Sequence, residues 1–85
     1  MKARLLDVRR LESAVGHVRV AIVVPKYGHT AVSRNRLKRR LRELTRQTVL
    51  GRPTSCDLLL RARREAYVAT FDELRADVSD VASRL

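Results

Sequence analysis

The sequence predicts an α+β fold: a single small domain over residues 1–85, with a sheet of three to four strands flanked by helices. Three observations predict it. Val18–Val24 alternates with a period of two and is rich in β-branched residues. Residues 31–50 repeat leucine at helical spacing. Cys56–Arg63 is a short apolar run after a turn, which fits a buried strand, with a helix start as the alternative. A chain of 85 residues that is 45% hydrophobic holds one globular domain and little more.

The elements follow in order. Ala3–Leu11 mixes Leu5, Leu6, Val8 and Leu11 with charges and reads as a first strand. Glu12–His17 contains Gly16 and reads as a turn. The second strand puts Val18, Val20, Ile22 and Val24 on one face and Arg19, Ala21 and Val23 on the other. Pro25 ends it, because proline cannot donate to the ladder. Lys26–Thr30 is a loop in which Gly28 can take backbone angles other residues avoid. The helix from about Ala31 to Leu50 carries Leu37, Leu41, Leu44 and Thr48 within roughly 60° of arc. Gly51 and Pro53 are expected to stop it. After Cys56–Arg63, Thr70-Phe71-Asp72-Glu73 has the form of a capping box. It opens a second helix whose apolar residues are Phe71, Leu74, Val78, Val81 and Leu85.

Charge sets the function class. Lys and Arg number 19 against 9 Asp and Glu, for a net charge of +10. Residues 1–50 hold 13 Lys and Arg and 3 Asp and Glu, whereas residues 51–85 hold 6 of each. The whole excess therefore lies in the first half. Arg34, Arg36, Lys38, Arg39, Arg40, Arg42 and Arg46 stand in one helix with a single acid, Glu43. A solvated helix face normally intersperses acids at i±4 spacing. A run this unbalanced repels itself, so a polyanion, nucleic acid first, is the economical partner. Arginine's planar fork suits phosphate oxygens, and Asn35 adds a donor and acceptors between two arginines. Tyr27, Tyr67 and Phe71 are too few for stacking on many unpaired bases, and Phe71 is expected in the core. Tyr27, beside Lys26, is either a base-stacking residue or a partly exposed tyrosine.

Catalytic candidates are thin. His17 and His29 have no Cys or carboxylate at metal-ligand spacing and read as surface or turn histidines. Cys56 reads as a small buried residue at a strand start. It cannot form an internal disulfide, which favours a reducing cytoplasm. Asp72, Glu73, Asp77 and Asp80 read as the solvated face of the last helix. No apolar run approaches the length of a membrane span, and no phosphate loop is present. No catalytic residue and no metal ligand is assigned. A general RNA- or DNA-binding module of ribosomal or chaperone-like kind shares the charge pattern. A stand-alone metal-dependent nuclease using Asp72, Glu73 and Asp77 is a distant alternative.

The segment Ala31-Val32-Ser33-Arg34-Asn35-Arg36-Leu37-Lys38-Arg39-Arg40-Leu41-Arg42-Glu43 resembles the signature helix of the bacterial ribonuclease P protein family. The strand Val18–Val24 with Lys26, the segment Asp57–Arg63 and the helix opening Phe71-Asp72-Glu73-Leu74 fall where that family has its counterparts. The resemblance covers roughly residues 5–85. It implies a left-handed β-α-β crossover, an exception to the usual right-handed rule. It implies a subunit that is not itself catalytic: a catalytic RNA, using Mg2+, cleaves precursor tRNA to free the mature 5′ end. Carried onto this chain, Arg34, Asn35, Arg36, Lys38, Arg39 and Arg42 would contact the catalytic RNA, with Arg46 added on the same helix. Lys26, Tyr27 and Arg63 would lie near the substrate's 5′ leader or the RNA. No cofactor bound by the protein itself, no membrane and no homo-oligomer is implied. The chain departs from the family pattern in three places. Pro25-Lys26-Tyr27 stands for the usual Ser-Lys-Lys, and Arg61 occupies an apolar strand position. The chain also starts at about the first strand, without the basic, phenylalanine-bearing helix that usually walls the leader cleft, so a short form is expected.

Overall fold

A computed structural model describes residues 5–85. The chain runs β1 (Leu6–Glu12), β2 (Val18–Val23), α1 (Ala31–Thr48), β3 (Cys56–Ala62), a 3-10 turn (Arg64–Val68) and α2 (Phe71–Ser83). The sheet has three strands in the order β1-β3-β2. β1 pairs antiparallel with β3, and β2 pairs parallel with it. A parallel pair needs a crossover, and α1 is that crossover.

Alternation explains the layers. Leu6 and Val8 of β1, Val18 of β2, and Cys56, Leu58, Leu60 and Ala62 of β3 are buried under the helices. They meet Leu37, Leu41 and Leu44 of α1 and Leu74, Val78, Val81 and Ala82 of α2 in one core. Each fully buried leucine contributes about 1.5–3 kcal/mol over leaving it in water. The opposite sheet face carries no helix among the described residues. Its three rows, read from the register, are Leu11–Asp57–Arg19, Arg9–Leu59–Ala21 and Asp7–Arg61–Val23.

Several expectations need correction. Ala3 and Arg4, placed at the start of the first strand, lie outside the described residues. Leu59 of the apolar run in β3 is 37% exposed on the open face, because a central strand covered on one side buries alternate residues only. Phe71 is 36% exposed rather than in the core. As the first residue of α2 it lies at the rim, with the Arg75 guanidinium 5.0 Å from its ring centroid. Thr48 is only half-buried, its hydroxyl turned back to the Leu44 carbonyl at 2.7 Å, while Thr45 beside it is buried. The helix ends at Thr48 without a left-handed glycine. Val49 and Leu50 both donate to the Thr45 carbonyl, and Gly51 keeps an ordinary φ. Asp77 is not simply solvated: it accepts the Leu5 backbone N–H and ties the residue before β1 to α2. The 3-10 turn was not expected, since five residues with one buried alanine show no readable period. The capping box at Thr70 and Glu73 forms in full. Cys56 is buried.

Candidate nucleic-acid interface

Helix α1 owes its position to its N-terminal turn and its buried edge. Thr30 caps it, its side chain accepting the Ser33 N–H at 3.1 Å. Arg34 Nε donates to the Val24 carbonyl at 2.7 Å and pins the first turn to the end of β2. Leu37, Leu41, Leu44 and Thr45 seat the inner edge. Helical geometry at about 100° per residue then sorts the remaining cations. Asn35, Arg39 and Arg46 form an outer crest. Lys38 and Arg42 stand on the flank toward β2, over Val20, Ile22 and Leu50. Arg36 and Arg40 stand on the flank toward the 3-10 turn, beside His29 and Tyr67.

Asn35, Arg36, Arg39, Arg42 and Arg46 are exposed, whereas Arg34 and Lys38 are half-buried. Arg40, not among the expected contacts, is exposed beside Arg36. The single acid is already engaged. Glu43 accepts from Arg46 and, at 3.0 Å, from Gln47 Nε2. Hydrogen bonding and attraction from Arg46 hold the Glu43 carboxyl below its usual range and raise the Arg46 guanidinium. Arg46 is therefore the most neutralised of the expected contacts.

Lys26, Tyr27 and Arg63 come together because β2 and β3 are parallel and their C-terminal ends lie side by side. Lys26 is exposed. Tyr27 and Gly28 both have positive φ, 47° and 84°, and His29 N–H closes the turn on the Lys26 carbonyl at 2.8 Å. Positive φ is strained for a tyrosine, and its surroundings compensate. The Tyr27 hydroxyl donates to the Ala62 carbonyl at 3.3 Å, its ring edges onto Tyr67, and the Arg64 guanidinium lies 4.7 Å from its centroid. Tyr27 is thus engaged within the fold. Arg63 immediately precedes the 3-10 turn, its Nε 3.7 Å from a Glu65 carboxylate oxygen.

The open sheet face is a second surface with mixed chemistry. At one end Arg19 makes two hydrogen bonds to Asp57, at 2.8 and 2.9 Å. They hold the Asp57 carboxyl below its usual range and raise Arg19. Arg9, Leu59, Ala21 and Arg61 continue the face. Strand alternation marks Arg9 and Arg61 as outward-facing, but only the pairing of β1 with β3 shows that they flank Leu59 together. Among the described residues, no three His, Cys, Asp or Glu side chains approach closely enough to share a metal ion. No helix there is long and apolar enough to cross a membrane.

A family model described as Ribonuclease P matches residues 2–85. The ribonuclease P protein component of Kocuria rhizophila is 51% identical over 59 residues, which are 69% of this chain and 52% of that protein. The same component of Thermus scotoductus is 43% identical over 77 residues, 91% of this chain and 44% of that protein. The chain thus spans about half the length of the curated relatives it matches. The Staphylococcus aureus RNase P protein superposes with a TM-score of 0.81 at 25% identity, covering 99% of this chain and 77% of that one. The Thermotoga maritima RNase P protein gives a TM-score of 0.84 at 22% identity, covering 100% and 81%, and shows the shared fold. With a family model spanning nearly its whole length and relatives this similar, the chain belongs to the bacterial ribonuclease P protein family.

Proposed function

We propose that the chain acts as the protein subunit of ribonuclease P: it binds the catalytic RNA through α1 and assists cleavage of precursor tRNA to the mature 5′ end. One observation carries this reading. α1 presents a cationic crest and two cationic flanks, its only acid already paired with Arg46, while its leucine edge is fixed in the core. Two RNAs repel through their phosphates, and a cationic wedge between them lowers that repulsion. Arg36, Lys38, Arg39, Arg40 and Arg42 supply that charge, with Asn35 between them as a hydrogen-bonding residue. Arg34 is half-buried and its Nε holds the Val24 carbonyl, so it positions the helix that carries the other cations.

We assign the chemistry and its magnesium to the RNA, as membership of the ribonuclease P protein family implies. The 5′ leader of the substrate fits the open sheet face best. Arg9 and Arg61 would meet its phosphates, Leu59 and Ala21 its bases and sugars, and Lys26 and Arg63 the strand as it leaves the sheet. The test is reconstitution. The protein is added to the organism's ribonuclease P RNA at low magnesium, and precursor tRNA cleavage is followed. Stimulation by the protein is expected. No stimulation, with equally tight binding to unrelated RNA, replaces this reading with a general nucleic-acid-binding module.

A further inference from the structure

We propose that the pocket between α1 and the 3-10 turn is a phosphodiester site whose grip on RNA depends on protonation of His29. This rests on reading α1 as an RNA-binding helix and assigns one phosphate to a defined place on its flank.

The pocket is small, about 90 Å³, and is lined by His29, Ser33, Arg36, Leu37, Arg40, Ala66 and Tyr67. A site of this size on the surface suits a compact anionic group held by several donors. Its donors converge from two segments. Arg36, Arg40 and the Ser33 hydroxyl come from α1, and the His29 ring comes from the loop before it. Arg36 and Arg40 make no ion pair among the described residues, and no carboxylate lines the pocket. Tyr67 is the one titratable group facing it from the 3-10 turn.

His29 is held in place rather than left to wander. Its ring lies flat on Tyr67, with centroids 3.9 Å apart and an interplanar angle of 1°. Tyr67 is anchored in turn, its hydroxyl donating to the Pro25 carbonyl at 2.6 Å. The backbone N–H of His29 closes the Lys26 turn. The imidazole is thus presented with one face covered and the remainder exposed beside two guanidinium groups. Histidine ordinarily titrates near pH 6.5, and only its cation is a donor at both ring nitrogens. A phosphodiester stays anionic throughout the range, so it favours the protonated ring. Binding then takes up a proton, and affinity falls as pH rises through the histidine range.

The experiment measures affinity for the ribonuclease P RNA from pH 5.5 to 8 at fixed salt and magnesium. The wild-type chain is compared with His29→Gln, with His17→Gln as the control at the far end of the sheet. Wild type and His17→Gln are expected to bind about tenfold more tightly at the acid end, as for one charge-assisted contact, and His29→Gln to show a flat profile. Titration of inorganic phosphate, followed by the proton resonances of both imidazoles, is expected to move His29 saturably and leave His17 in place. An unchanged pH profile in His29→Gln overturns the site, and so does a His29 resonance indifferent to phosphate. If Arg39→Ala weakens RNA binding while His29→Gln changes nothing, the pocket fails and the RNA reading stands. If the chain binds no RNA at all, that reading fails, and the phosphate titration alone decides the pocket.

Discussion

Arg34 and Val24 are joined by a hydrogen bond of 2.7 Å from guanidinium Nε to backbone carbonyl, linking the first turn of α1 to the end of β2. One cation of the signature helix is therefore part of the scaffold that aims the others. Arg34→Ala is expected to lower stability by about 1–2 kcal/mol, because a buried carbonyl loses a charged partner. Arg39→Ala, on the exposed crest, is expected to stay within about 0.5 kcal/mol of wild type. Urea denaturation of both variants checks this, with RNA affinity then measured at equal folded fraction.

Leu41 is fully buried in the core shared by the sheet and the two helices. Leu41→Ala is expected to cost about 2–5 kcal/mol through the cavity it leaves. Affinity per folded molecule should remain near that of wild type, since the cationic faces are untouched. Unfolding curves paired with binding isotherms test both statements. A Leu41→Ala variant that is fully stable would mean the helix is not seated by that edge.

Salt dependence counts the phosphate contacts. If Arg36, Lys38, Arg39, Arg40 and Arg42 each neutralise one phosphate, log affinity falls against log salt with a slope of about −3.5 to −4.5. Arg39→Ala should make the slope shallower by about 0.7–0.9. Glu43→Gln releases Arg46 and is expected to tighten binding at low salt. A titration that is flat in salt would remove the electrostatic account.

Stability at acid pH reports the open face. Asp57 is held below its ordinary value first by the Arg19 hydrogen bonds. The folded carboxyl therefore binds protons less readily than the unfolded one. Its contribution is present above the unfolded value, near 3.9, and is lost as pH falls through the lower folded one. Asp57→Asn is expected to remove that part of the acid sensitivity. The pair is exposed, so the effect is small. Denaturation midpoints between about pH 6 and 3 measure it.

The period of two in Val18–Val23 and the leucine spacing of α1 were legible because each element's own geometry imposes them. The capping box at Thr70 was legible because its bonds span three residues. The cationic helix was legible because charge density needs no fold to be counted. Phe71 misled because a helical stripe does not show where the core stops. The 3-10 turn was too short to announce itself. Tyr27 was ambiguous because its partners, Ala62, Arg64 and Tyr67, lie some 35 to 40 residues away in the chain.

By itself the sequence determined that a basic amphipathic helix follows a β-branched strand, and that its arginines outnumber any acids able to quench them. These are local properties, set by neighbours a few residues apart. Only the tertiary structure decided which cations stay free and which turn inward, as Arg34 does toward Val24. It also decided that Arg9 and Arg61 share an open face and that His29 lies on Tyr67. Those pairings depend on strand order and on a crossover that brings distant segments together, and no spacing along the chain encodes that distance.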